Sequence, residues 1–379
     1  MVLHTPPLGW NSWNTFGPDI NEEVVLRSAD ALVETGLRDC GYDYLVIDDC
    51  WSKRVRGEDG RLEADPVKFP HGMKYVADYV HGKGLKFGMY SCSGQLTCGQ
   101  YPGSFDHEFV DAATFAEWGV DYLKYDFCFH PVSRDPANLY RRMGLALANC
   151  GRDIVFSGCS WGAEKTKEWM HTTGTHLWRS TGDINDSWAS VKSLSLSQIP
   201  DQVYGRVNCY NDMDMLIVGM NGAGNVALTG CTTEEYRLHF SLWAMLASPL
   251  MIGCDISKMD EAARGILTNR DVLAIDQDRA GRGAFVVGLG NWDAPIMEAV
   301  TLARYLENGD VALGMFNFED KARTMTASAE DVGIDRNSGK TLELHDLWSG
   351  EVTPFNNEIL NLPVEAHSCR MWRARVVDR

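Results

Sequence analysis

Between Leu8 and Cys254 the apolar and polar positions repeat one phrase: an amphipathic stretch at helical spacing, a glycine-containing turn, and a short apolar run ending in polar residues. In the first copy Asp19 and Glu22 have the spacing of a capping box, and Val25, Ala29, Leu32 and Val33 share one helical face. Gly36 is placed to stop that helix, and the strand YDYLVIDDCW follows. The phrase returns as VADYVHGKG before LKFGMYS and as AATFAEWG before VDYLKYDFC, with later strands at IVFSGCS, HLWRSTGDI, YNDMDMLIVG and LASPLMIGC. With LGWNSW these make eight strands. Continuous apolar runs suit a parallel sheet buried on both faces. The pattern therefore predicts an α/β chain whose units close into a (β/α)8 TIM barrel.

Past Gly283 the texture changes to short segments, AFVVGLG, MEAVTLARYL, DVALGMFNF and CRMWRARVV, separated by Asn, Gly and Asp turns. This predicts a C-terminal antiparallel β-sandwich domain over 284–379 behind a catalytic barrel over 1–283. A length of 379 residues agrees with two domains, because single cores stop growing beyond roughly 250 to 300 residues. The expected role of the β domain is to pack against the barrel and stabilise it.

Charge narrows the ligand. With 35 basic and 52 acidic side chains the formal net charge is -17, which repels nucleic acid and anionic membrane and favours a neutral or cationic ligand such as a sugar. No apolar run reaches the roughly 18 residues of a membrane span. The opening MVLHTPPLGW lacks the regions of a secretory signal, so a cytoplasmic location is expected. Eleven cysteines without CxxC spacing argue against a zinc ribbon. Twelve tryptophans suit stacking on sugar faces as well as core filling.

In a barrel the chemistry sits at the C-terminal strand ends, which is where this chain puts Asp48, Asp49, Asp126, Asp183 and Asp214. Hydrolysis of a glycosidic bond needs two carboxyl groups. Lys124 and Asp126 share a strand face, so the cation would lower the carboxylate's pKa and keep it ionised as a nucleophile; a buried ion pair is the plainer alternative. Asp183 follows Arg179, and a general acid there needs a pKa raised by a neighbouring carboxylate. Asp186 is either a rival acid or a helix N-cap, and spacing does not choose. Asp48 and Asp49 could ligate a metal, cap a helix or hold sugar hydroxyls.

The strings LGWNSW, IDDCW, MYS, LTCGQYPGS, FAEWGVDYLKYD, WRSTGDINDSW, NDMDML and LWAMLASPLMIGCDI, in this order from Pro7 to Asp278, resemble family 27 of the glycoside hydrolases, the α-galactosidases and α-N-acetylgalactosaminidases. The resemblance implies a retaining double displacement with Asp126 as nucleophile and Asp183 as acid/base, so that Asp183 outranks Asp186. It also implies that Asp48 and Asp49 bind the 4- and 6-hydroxyls and Lys124 the 3- and 4-hydroxyls. Trp10 and Tyr90 would shape the apolar side of the pocket, with Arg179 and Asp214 near C2. The substrate would be a small molecule or oligosaccharide with a terminal α-galactosyl or α-GalNAc unit, with no cofactor and no metal; assembly with further copies of the chain stays open.

Within that family the loop CSWGA, 159–163, sets specificity. The α-galactosidases usually carry a glutamate after the cysteine, whereas the N-acetylgalactosaminidases carry serine there and alanine three residues on. Ser160 and Ala163 therefore imply a preference for GalNAc, with α-galactosidase as the alternative and β-L-arabinopyranosidase behind it; Glu164, in place of the tyrosine common in animal N-acetylgalactosaminidases, weakens that preference. Cys98 and Cys128 match one disulfide of secreted relatives, while Cys50 and Cys159 lack partners, a pattern that suits a reducing compartment; the state of the Cys98 and Cys128 thiols stays open. Three rivals remain: a metal-dependent barrel enzyme using Asp48, Asp49, Asp126 and Asp214, an NAD-dependent glycosidase suggested by GAGNVA at 222–227, and a catalytically silent sugar-binding protein.

Overall fold

A computed structural model describes residues 2–288, 298–355 and 359–379. Eight parallel strands form one curled sheet: β1 Leu8–Asn11, β2 Tyr44–Val46, β3 Lys86–Cys92, β4 Tyr122–Asp126, β5 Val155–Cys159, β6 Leu177–Arg179, β7 Tyr210–Asp212 and β8 Leu250–Ile252. They pair in chain order, and β8 returns to β1 through Leu8 and Leu250. The remaining gap closes just beyond β7, where Leu216 pairs with Ile252 and exchanges backbone hydrogen bonds with Met251 and Gly253. All eight sequence-predicted strands are in place, and the family's barrel is the fold observed.

Local chemistry explains the units. Helix α1, Glu22–Glu34, buries Val24, Val25, Ser28, Ala29, Ala31 and Leu32. Its cap differs from the predicted one: Asn21 accepts from the Val24 N–H, while Asp19 lies in a preceding 3-10 turn. The nearer side chain wins, because a cap must reach back from its own N3 amide. Gly36 follows the helix end at φ +80°, as a left-handed stop requires. At Gly94 a Cβ would lie 1.9 Å from the Cys128 carbonyl oxygen, so only glycine lets the loop after β3 run against the loop after β4.

The antiparallel part begins with β9 Phe285–Val287, followed by β10 Ala299–Tyr305, β11 Val311–Asn317, β12 Arg323–Ser328, β13 Lys340–Asp346, β14 Val352–Pro354, β15 Ile359–Val364 and β16 Ser368–Asp378. Six of them pair in the order β9-β10-β11-β16-β13-β14, and β12 pairs with β15. Leu313, Met315, Met325, Ala327, Leu342, Leu344, Val364 and Trp372 fill the space between. Leu289 and Gly290 of AFVVGLG, and Met297 of MEAVTLARYL, lie outside the described residues.

Helix α2, Thr233–Met245, is buried from Glu235 onward except at Arg237 and lies between barrel and β domain, which is why its sequence lacks a polar stripe. Arg304 donates to the Ala244 carbonyl at 3.2 Å and Trp348 to the Ser241 hydroxyl at 3.1 Å across this junction. Trp188 stacks on Phe318 and His367 of the β domain, with centroids 5.9 and 4.4 Å apart. Among the described residues no helix is long and apolar enough to cross a membrane.

Candidate active site

The loops after the strands enclose a cavity of about 250 Å³ lined by Asp48, Asp49, Tyr90, Lys124, Asp126, Arg179, Asp183 and Asp214, with Trp13, Asn14, Cys98, Cys128, Trp161, Met215 and Val226 completing its wall. Two carboxyl groups with opposite surroundings face it. Asp126 closes β4 at 5% exposure; its Oδ1 accepts from the Phe127 N–H at 2.9 Å and its Oδ2 from the Tyr90 hydroxyl at 3.1 Å. Asp183, on the loop after β6, has a side chain 71% exposed and accepts from Arg179 Nη2 at 2.9 Å.

Asp126 is pushed up to about 6 by burial, against the lowering pull of Lys124 and the Phe127 amide and with help from Asp48 and Asp183. The expectation that Lys124 would hold Asp126 low is thus corrected. The cation does act in that direction, but loss of water outweighs it, and its hydrogen bond goes to Asp48 Oδ2 at 2.8 Å. Lys124 is itself buried, which pulls its pKa down; Asp48, Cys159 and Asp126 more than reverse that and hold it well above the usual lysine range. Asp183 does have carboxylate neighbours, since its charge helps raise both Asp126 and Asp214, and it also pairs with Arg179, which it shares with Asp214.

The double acid after β2 is fixed from its backbone. Asp48 Oδ2 also accepts from Asn11 Nδ2 at 2.8 Å, and its Oδ1 from the Asp49 N–H at 2.9 Å. Asp49 accepts from the Gly99 and Cys50 amides, both at 2.7 Å. Burial raises its pKa, and those donors hold it back. At the other wall Arg179 Nη2 donates to Asp214 Oδ2 at 2.6 Å. Burial works against the guanidinium charge, but Asp214, Cys159 and Asp183 hold its pKa above the usual value. Asp214 stands at φ +83°, a turn that breaks the seventh strand after Asp212 and aims the carboxylate at Arg179 and at the Ile184 N–H, 2.7 Å away.

Three sequence-predicted residues do not reach the cavity wall. Trp10 has no exposed surface, and its indole N–H is bonded to the Cys254 carbonyl at 2.9 Å; the aromatic at the wall is Trp13, past the end of β1. Ser160 is likewise fully buried, its hydroxyl engaged with that of Thr166. Ala163 lies in the following 3-10 turn, and Trp161, at φ +55°, turns into the cavity between them. Sequence reasoning also passed over Asn11, which anchors Asp48, and Asp212. The latter faces a small cavity inside the barrel with Lys124 and Arg179, and burial raises it to about 6 against the pull of Arg179. The alternation of NDMDM was the available signal for Asp212.

Cys98 and Cys128 are joined by a disulfide at the cavity edge, with Cα atoms 5.2 Å apart, and Tyr90 Oη lies 3.3 Å from Cys98 Sγ. Among the described residues, Cys98, Asp126 and Cys128 are the one group with metal-ligand spacing, and two of its three donors are these bonded sulfurs. Asp48 and Asp214 are taken by cations. GAGNVA packs on the Trp13–Thr15 turn, with the Asn225 and Val226 amides donating to the Thr15 and Asn14 carbonyls, so its backbone is spent on the cavity wall. Asp186 is not the N-cap of the helix Trp188–Gln198; Ser187 is, and Asp186 is buried beside Gly222 and Tyr236.

Residues 5–278 match the model of a protein family described as alpha galactosidase A, and residues 298–374 match that of the alpha galactosidase C-terminal beta sandwich domain. The chain is 42% identical to an alpha-galactosidase of Cyamopsis tetragonoloba, over 97% of this chain and 85% of that one. Among solved structures, alpha-galactosidase I from Mortierella vinacea superposes with a TM-score of 0.88 at 32% identity, covering 98% of this chain and 97% of that one. The Saccharomyces cerevisiae alpha-galactosidase with raffinose does so with a TM-score of 0.84 at 29% identity, covering 99% and 98%.

Proposed function

Because the chain belongs to glycoside hydrolase family 27, we propose that it is an exo-acting α-galactosidase that releases terminal α-linked galactose with retention of configuration. The observation that carries this reading is one small cavity holding a buried carboxylate, Asp126, and a solvated one, Asp183, among hydrogen-bonding groups already fixed in place. Asp126 attacks the anomeric carbon, and the bond to the aglycone oxygen breaks as Asp183 gives that oxygen its proton. In the second half Asp183 takes a proton from water, which attacks the same carbon and frees Asp126. Asp48, Asp49 and Lys124 offer acceptors and a donor for the hydroxyls of the sugar, and Trp13, Tyr90 and Trp161 offer rings for its apolar face. The raffinose associated with the yeast relative supports an oligosaccharide substrate.

Galactose is favoured over GalNAc at this site. The GalNAc preference drawn from Ser160 and Ala163 supposes that two small side chains leave room for an N-acetyl group, whereas the residue of this loop that lines the cavity is the bulky Trp161. Relatives named alpha-galactosidase, at 38 to 42% identity, support the same choice. The test compares kcat/KM for the nitrophenyl α-galactoside, α-GalNAc and β-L-arabinopyranoside, with proton NMR of the first sugar formed. The galactoside should lead by at least about tenfold with α-galactose appearing first; a leading GalNAc substrate, or β-galactose appearing first, overturns the reading.

A further inference from the structure

Three residues beyond Asp183 a second aspartate is completely buried. Asp186 Oδ1 accepts from the Tyr236 hydroxyl at 2.8 Å, and its Oδ2 accepts from the Gly222 N–H at 2.6 Å. Its own N–H donates to the Val226 carbonyl at 3.0 Å, and Asp186–Ser187 pairs with the segment Ala227–Gly230. The Tyr236 hydroxyl in turn accepts from the Asn221 N–H at 2.9 Å. One carboxylate therefore ties together the loop that carries Asp183, the glycine-rich loop whose Val226 lines the cavity, and helix α2. The helix that follows has no need of it, since Ser187 supplies the cap.

We infer that Asp186, clamped by Tyr236 and Gly222, is a positioning residue that holds Asp183 against the departing oxygen. The inference rests on the acid role of Asp183 given above. Asp183 itself is held by one hydrogen bond, from Arg179, with a side chain 71% exposed. Its loop is pinned at Ile184, whose N–H bonds Asp214 at the cavity floor, and at Asp186, behind the wall. A general acid works only within hydrogen-bond reach of the atom it protonates, and misplacement by about 1 Å costs on the order of a hundredfold. Loosening the second pin should thus harm proton donation while leaving the sugar's own contacts, at Asp48, Asp49 and Lys124, untouched.

Two variants test this. Asp186→Asn replaces one acceptor oxygen by a donor facing Tyr236 or Gly222; Tyr236→Phe keeps the carboxylate and removes one of its donors. Each is assayed for kcat/KM, which reports the first chemical step, on a dinitrophenyl α-galactoside, whose leaving group departs unprotonated, and on methyl α-galactoside, whose leaving group needs a proton. The methyl substrate should lose at least about tenfold more than the dinitrophenyl substrate in both variants, and Asp183→Ala should show the same selectivity more strongly. Equal losses on both substrates, or none, beside a selective Asp183→Ala overturn the clamp alone. An unselective Asp183→Ala overturns the acid assignment and the clamp with it.

Discussion

Lys124 and Asp126 leave the same strand two residues apart, yet the Lys124 ammonium is given to Asp48, 2.8 Å away. Charge on Asp126, the proposed nucleophile, is therefore set by a contest between burial and a cation at one remove.

The acid limb of the pH profile of kcat/KM should fall near pH 6, because Asp126, as the proposed nucleophile, must be ionised and its pKa is pushed up to about 6. Below that value activity should drop about tenfold per pH unit. Lys124→Met removes the largest lowering influence and should move the limb to higher pH. The same change leaves Asp48 buried without its cation and should cost roughly 3 to 5 kcal/mol of stability. A limb near pH 4, or one unmoved in the variant, contradicts this account.

Asp126→Asn should reduce turnover by at least about a thousandfold while raising the melting temperature at neutral pH. A carboxyl group raised from 3.8 to about 6 on folding disfavours the folded state once pH exceeds the higher value, by about 3 kcal/mol in full. The amide escapes that loss, so the gain of the variant over the parent should be present at pH 8 and vanish near pH 4. Paired thermal melts at the two pH values check the sign.

Opening the Cys98–Cys128 bridge, which closes a separation of 30 residues, should destabilise the protein by about 3 to 4 kcal/mol on chain-entropy grounds. It should also raise KM, since both sulfurs border the cavity and Tyr90 reaches Cys98 as well as Asp126. Melting and kinetics with and without a dithiol reductant measure both effects.

Ser160→Ala should leave the ratio of galactoside to N-acetylgalactosaminide hydrolysis within about threefold of the parent, because the hydroxyl it removes is buried against Thr166. The measurement is the pair of kcat/KM values for the two nitrophenyl substrates.

Strand periodicity made the barrel legible, and the rule that chemistry gathers at strand ends placed Asp48, Asp49, Asp126, Asp183 and Asp214 together before any coordinates. The family motif pointed to Trp10, which the strand buries completely, and left unnoticed Trp13, just past β1, which lines the cavity. Side-chain direction in irregular loops was not legible. Trp161 enters the cavity because the backbone there takes a left-handed turn, and nothing in CSWGA announces that turn or the swing of Ser160 toward Thr166. Partner choice was equally hidden: alternation set Lys124 on the face of Asp126, but Asp48, seventy-six positions away in sequence, took the hydrogen bond.

Trp188 gives the β domain a consequence beyond support. It opens the helix directly after Ser187, two residues from the buried Asp186, and its ring stacks with Phe318 and His367. His367 is tethered on one side to Glu235 and on the other to Asp320, each at 2.8 Å. The segment bearing Asp183 is thereby buttressed from a distance by a domain whose described residues do not line the cavity. Clipping the chain ahead of β9 would strip the indole of both neighbours, so proteolytic separation of the halves and loss of turnover should proceed together, as a single event.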